Sequence, residues 1–223
     1  MNVRIAIADE HTIIRRGVHT MIVNSNARFT DATSPFNLTV AGEAASTNEL
    51  LTLLAQEKPD ILLLGYTLIA SLNDMEGLTL VKWLAHHYPT LKVMILSPDT
   101  NPLMIRLALE AGARAYLSRH TSEKVLRQAL QSVIEGEVFV EHALMNTLFQ
   151  KGKTTTDALS PRETEVLRLI CKGLNLTDIS RRMHLSIKTV SAHKMRAMEK
   201  LGVKNGCQLY CLLAKTRMFD IVL

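Results

Sequence analysis

Leu159–Val203 reads LSPRETEVLRLICKGLNLTDISRRMHLSIKTVSAHKMRAMEKLGV and divides into three short helices separated by two sharp breaks. In Ser160-Pro161-Arg162-Glu163 a capping serine precedes a proline at the first helical position and a glutamate three residues on, so a helix starts at Pro161. Val166, Leu167, Ile170 and Cys171 follow at helical spacing, and Gly173 stands where that helix should stop. Asn175 caps a second helix, Leu176–Met183, that turns Ile179 and Met183 inward. After a turn at His184-Leu185, Ser186 caps a third, longer helix reaching about Leu201. Two helices joined by a tight turn, the second one basic, outline a helix-turn-helix. That outline implies double-stranded DNA as the ligand.

Working outward, 223 residues allow one large domain or two modest ones, and a hydrophobic content of 47% supports a sizeable core. Aromatics make up only 4%, so the core is aliphatic. The net charge of +5 is uneven: residues 1–150 carry 12 Lys/Arg against 15 Asp/Glu, and residues 151–223 carry 14 against 6. A small basic domain beside a mildly acidic one implies that only the C-terminal part meets a polyanion. No run approaches the roughly 20 apolar residues of a membrane span, and the N-terminus has no signal-peptide pattern. A cytoplasmic location with no membrane partner is expected. Cys171, Cys207 and Cys211 are odd in number, lack a CxxC pair, and read as small apolar core residues on helices.

The N-terminal part alternates strand and helix five times. Val3–Ala8 is a strand ending at Asp9-Glu10, and a helix follows with Ile13, Ile14, Val18, Met21 and Ile22 on one side. Asn24–Asn37 reads as an exposed loop, Leu38–Ala41 as a strand and Glu49–Gln56 as a helix. Asp60–Gly65 (DILLLG) is a continuous apolar run, the mark of a parallel strand buried on both faces. A helix over Glu76–His87, a strand over Lys92–Leu96 and a helix over Leu103–Ala111 come next. A strand over Ala115–Ser118 and a helix over Glu123–Ile134 complete the set. This order predicts a five-stranded, doubly wound parallel sheet in an α/β domain over residues 1–135. Residues 136–157 form a linker, with a helix over Phe139–Gln150, and residues 158–223 form an all-α domain of four helices. The crevice of such a sheet lies at the strands' carboxyl ends, which carry Asp9, Glu10, Gly65, Ser97 and Arg119.

The five βα units, the acidic pair after the first strand, and the pattern L-S-P-R-E…L-S-I-K-T-V-S-x-H…K-L-G-V resemble a NarL/FixJ-type response regulator. That family joins a CheY/flavodoxin-like receiver to a LuxR/GerE-type helix-turn-helix. LSIKTVSAHKMRAMEKLGV, GLTLVKWLAHHYPTLKVMIL and NPLMIRLALE are similar to the RcsB-like branch of the family. The resemblance covers nearly the whole chain. It implies a transcription regulator of a two-component system, dimeric on DNA. The dimer is either a homodimer or a heterodimer with a related response regulator, and RNA polymerase is a further partner.

Receivers of that family phosphorylate an Asp at the end of the third strand, beside a divalent metal held by the acidic pair. A Ser/Thr and a Lys bind the phosphoryl oxygens. Here the acceptor position of P-D-I-L-L-L-D falls on Gly65, which has no nucleophile. Ser97 matches the switch hydroxyl, and Arg119 replaces the lysine, keeping its charge but not its compact geometry. The resemblance therefore implies a degenerate pocket, a pseudo-receiver not switched by phosphorylation at the usual site. Tyr66, Thr67 or Asp74 is the alternative acceptor. Asp9-Glu10 reads as a solvated relic capping the first helix, with a retained metal site as the alternative. Tyr116-Leu117-Ser118-Arg119 is also close to a motif of family regulators that bind cyclic di-GMP, so a regulator responsive to that nucleotide is a further alternative. No cofactor is called for. The chain shows no nucleophilic triad, glycine-rich phosphate loop or metal-ligand cluster, so no enzyme activity is expected.

On the third helix the family's base-reading positions fall on Ser191, Ala192 and Met195, an uncharged set without a bidentate guanine contact. Lys188, Thr189, His193, Lys194, Arg196 and Lys200 are expected to meet phosphates. Val190, Ala197 and Leu201 point inward. Leu209–Ala214 is an apolar helix that serves either as a dimer seam or as core.

Overall fold

The structure is a computed structural model describing residues 2–28, 36–66, 68, 77–145 and 159–216. It divides into two compact units, Met1–Thr147 and Leu148–Leu223. No described helix is long and apolar enough to cross a membrane.

The first unit is a parallel sheet in the order β2-β1-β3-β4-β5-β6. Its strands are β1 (Asn2–Ala8), β2 (Asn37–Ala44), β3 (Ile61–Gly65), β4 (Lys92–Ser97), β5 (Ala115–Ser118) and β6 (Phe139–Val140). Helices α1 (Thr12–Arg28), α2 (Thr47–Glu57), α3 (Gly77–His87), α4 (Pro102–Glu110) and α5 (Glu123–Ile134) connect them. One face buries Val3, Ile5, Ile7, Ile61, Leu63 and Leu117 against Val18 and Ile22 of α1 and Leu126, Leu130 and Val133 of α5. The alternate residues Leu62, Leu64, Val93, Ile95 and Tyr116 are buried on the other face, the side taken by α2, α3 and α4. The β3 residues are buried on both sides, which is why DILLLG carries no polar alternation. The strand order reverses direction between β1 and β3, and their carboxyl ends, Asp9 and Gly65, flank that switch point.

Four details differ from the sequence expectation. A sixth strand, Phe139–Val140, pairs with β5 inside the stretch expected to be linker and helix; helical residues begin only at 142, and 146–150 lie outside the described residues. Two residues are too few for periodicity to reveal. Helix α1 runs on to Arg28, so the loop expected from Asn24 begins later. Ile13 is 81% exposed, because at about 100° per residue it turns away from the Ile14, Val18 and Ile22 stripe. Cys171 is half-buried and Cys207 exposed, so neither is a fully buried core residue.

The second unit holds α6 (Pro161–Cys171), α7 (Leu176–Met183), α8 (Ile187–Lys200) and α9 (Gly206–Thr216). Ser160 and Glu163 form a reciprocal capping box, with 3.3 Å from the Glu163 amide to Ser160 Oγ and 2.8 Å from the Ser160 amide to Glu163 Oε2. Gly173, at φ +79°, ends α6 in the left-handed turn that glycine accepts without strain. Asn175 and Ser186 cap the next two helices, and His184 takes the left-handed turn between them. The core joins Val166, Leu167 and Ile170 to Ile179, Val190, Ala197, Met198 and Leu201. Leu209, Leu212 and Leu213 are also buried, so this face of α9 is core within the unit.

Gly17 lies exposed inside α1, and a β-carbon there meets nothing within 4 Å. Gly17→Ala is expected to raise the unfolding free energy by about 0.5–1 kcal/mol. Urea denaturation followed by Trp83 fluorescence measures this; a destabilised variant would count against regular helix at that position.

Candidate regulatory pocket and nucleic-acid interface

At the switch point the structure brings Asp9, Gly65 and Arg119 together. Arg119 Nη2 donates to Asp9 Oδ2 at 2.9 Å, and the Asp9 side chain is only 2% exposed. The other oxygen, Oδ1, accepts from the His11 amide at 2.8 Å and lies 3.0 Å from His11 Nδ1. Arg15 fixes the loop from beneath, donating to the Asp9 carbonyl at 2.8 Å and the Glu10 carbonyl at 3.3 Å. Asp9 is thus a buried, fully engaged carboxylate and not the solvated relic expected.

Gly65 makes that arrangement possible. A β-carbon at this position would stand 2.7 Å from the Asp9 carboxyl carbon and closer still to Oδ2. The Asp9 carboxylate therefore occupies the space that a side chain at 65 would need. A divalent metal does not fit the residues present. Both Asp9 oxygens accept from N–H groups, one of them cationic, and Gly65 supplies no ligand. Among the described residues no group of three or more His, Cys, Asp or Glu could hold a metal.

Ser97 is fully buried at the end of β4, where its Oγ accepts from the Asp99 amide at 3.0 Å and its carbonyl accepts from the Arg119 amide at 3.0 Å. Tyr116 is also fully buried, and its hydroxyl donates to the Asp99 carbonyl at 2.9 Å. Tyr116 is enclosed, so the Tyr-Leu-Ser-Arg stretch presents no exposed ring, while Arg119 commits Nη2 to Asp9 and its buried Nε has no hydrogen-bond partner among the described residues. Tyr66 is 3% exposed, and burial, reinforced by the Tyr116 and Asp99 groups, pushes its phenol well above the usual range. Thr67 and Asp74 lie outside the described residues.

On α8, Lys188, Ala192, Met195 and Arg196 are exposed, while Thr189, Ser191, His193 and Lys194 are half-buried. Thr189 Oγ1 is 2.8 Å from the capping Ser186 Oγ, and Arg196 Nε donates to the Ala192 carbonyl at 3.3 Å. Lys200, expected among the phosphate contacts, instead places Nζ 2.8 Å from Glu163 Oε2. It joins the end of α8 to the start of α6, the two helices 37 residues apart at this contact. His11, Arg15 and Glu163 were not among the expected site residues. Only Glu163 carried a signal, its capping-box position.

A model of the response regulator receiver domain matches residues 5–131, and one of the luxR family of bacterial regulatory proteins matches residues 157–213. The chain belongs to the response regulator family and ends in a LuxR-type helix-turn-helix. It is similar to the transcriptional regulatory protein RcsB of Salmonella typhi, 27% identical over 97% of this chain and 96% of that one. It is also similar to the oxygen regulatory protein NreC of Staphylococcus aureus, 29% identical over 97% and 99%. A solved structure of two RcsB dimers bound to two parallel DNAs matches with a TM-score of 0.84 and 26% identity, covering 96% of this chain and 99% of that chain.

Burial works to raise the Glu163 carboxyl, but hydrogen bonds from Lys200 and Ser160 outweigh it and hold the group below the usual carboxylate range. A group depressed on folding stabilises the fold above its unfolded pKa, and that contribution fades as pH falls through the folded value. Glu163→Gln is expected to destabilise the helical unit by about 1–3 kcal/mol at pH 7. The difference from the parent should shrink in acid, below the ordinary carboxylate pKa of roughly 4.3. Urea unfolding by circular dichroism reads it as the transition that Trp83 fluorescence does not follow.

Proposed function

We propose that this chain is a cytoplasmic, dimeric, sequence-specific DNA-binding transcription regulator whose receiver is not switched by phosphorylation at the usual position. The observation that carries the reading is the Asp9–Arg119 ion pair seated over Gly65: the acceptor position holds no nucleophile, and the pair takes up a carboxylate and the cation of the family's chemistry. The RcsB complexes with DNA support the DNA-binding half, together with the excess of Lys/Arg in residues 151–223 and the exposed cations of α8. Lys188, with Lys194 and Arg196, supplies phosphate contacts that set affinity and register. Ser191, Ala192 and Met195 face base edges. Lys200 serves the fold of the domain.

The uncharged base-facing set also favours a second arrangement, a heterodimer with a phosphorylatable relative that contributes part of the selectivity. In that arrangement this subunit supplies DNA contacts and the partner carries the signal. RNA polymerase is the downstream partner in either case.

Incubation with acetyl phosphate and Mg²⁺ is expected to leave both the phosphoprotein mobility and the DNA affinity of the protein unchanged. A shifted band on a phosphate-affinity gel that disappears in Tyr66→Phe, Thr67→Ala or Asp74→Asn would overturn the phosphorylation-independent reading. Lys188→Ala is expected to weaken cognate and scrambled duplexes alike and to reduce the salt slope by about one. Binding titrations over a range of salt concentrations test this, and a loss confined to the cognate duplex would assign Lys188 to base reading instead.

A further inference from the structure

We propose that α8 selects its DNA by the 5-methyl groups of thymine, contacted by Met195 and Ala192. This inference rests on the DNA-binding reading above and names the chemical group that is read. Two methionines on the same helix have opposite fates: Met198 is 4% exposed in the core, and Met195 is 58% exposed. Packing within the unit does not account for Met195. Ala192 and Met195 are three residues apart, so they are neighbours on one face, about 4.5 Å apart along the axis. That span is slightly more than one base-pair step.

The surroundings of this apolar patch point to the DNA groove. Lys188 stands four residues before Ala192 and Arg196 four after it, so cations bracket the patch along the helix. A protein-binding apolar face would not need that flanking. Arg196 is drawn back onto its own helix, with Nε on the Ala192 carbonyl at 3.3 Å and Nη2 3.5 Å from His193 Nδ1. Its fork is thereby turned from a bidentate contact with guanine. Glu199, exposed four residues beyond Met195, puts a carboxylate on the same face and confines phosphates to the earlier turns. What remains at the centre is hydrocarbon and thioether. In the major groove the thymine methyl is the one apolar group a base presents, and an unbranched methionine adapts its shape to it.

The test uses the full chain and a duplex that it selects from a random library. Each thymine of that duplex is replaced singly by uracil, which removes only the methyl group. One or two replacements per half-site should weaken binding about fourfold, as expected for one methyl-sized apolar contact. Met195→Ala, a change at an exposed position, should abolish the thymine–uracil difference at one of those sites. Selective binding that no uracil replacement alters would overturn the methyl reading and leave DNA binding intact. Failure to retain any duplex at low salt would overturn the DNA reading itself, and this inference with it.

Discussion

The sheet unit depends on the Asp9 carboxylate, buried at the end of β1 and neutralised by Arg119 at the end of β5. A buried carboxylate without a partner costs several kcal/mol, and removing one member of a buried pair costs about 3–5 kcal/mol. The pair therefore ties the first strand to the fifth across 110 residues of sequence. It also dictates what position 65 can hold. With Asp9 turned inward the space is too small for a β-carbon, so this placement of the carboxylate requires a glycine there. The Asp9 carboxylate and the Arg119 guanidinium are thus paired with each other at the carboxyl ends of the strands.

Most of the fold was legible in the sequence because periodicity and buried runs report local burial. Ala115–Ser118 and Glu123–Ile134 fall where the pattern put them, and DILLLG declared a doubly buried strand. The failures have physical reasons. Ile13 is apolar but lies off the stripe, and a single residue cannot announce which way it faces. Strand β6 is held by pairing with β5, a tertiary contact acting on two residues with no signal of their own. Position 65 could be read as chemically empty from glycine alone. That another carboxylate moved into the space could not, because the partners of Asp9 come from sites near and far in the chain.

The same division holds in the helical unit. Its caps are local, and Ser160, Asn175 and Ser186 could be read directly. Lys200 could not, since a lysine on a basic helix looks like every other surface cation until its buried partner is known. Glu163 completes a capping box and accepts from Lys200, so one carboxylate both caps the start of α6 and ties it to the end of α8. The cation at the end of α8 thus helps to hold that helix in place.

In the DNA-binding reading we propose, affinity and selectivity fall to different atoms of one helix. Phosphate contacts by lysine and arginine are strong, long-range and blind to sequence. The face between those cations carries little that can hydrogen-bond to a base edge. A single helix of this kind would bind many sequences with similar strength, each apolar contact adding only a modest factor. Pairing two such helices at a fixed spacing multiplies those factors, because both faces must find their groups in register. In the heterodimer we propose, with Asp9 and Arg119 paired in the receiver, control lies in which second helix is supplied, and the weakness of each reading face is what makes that choice matter.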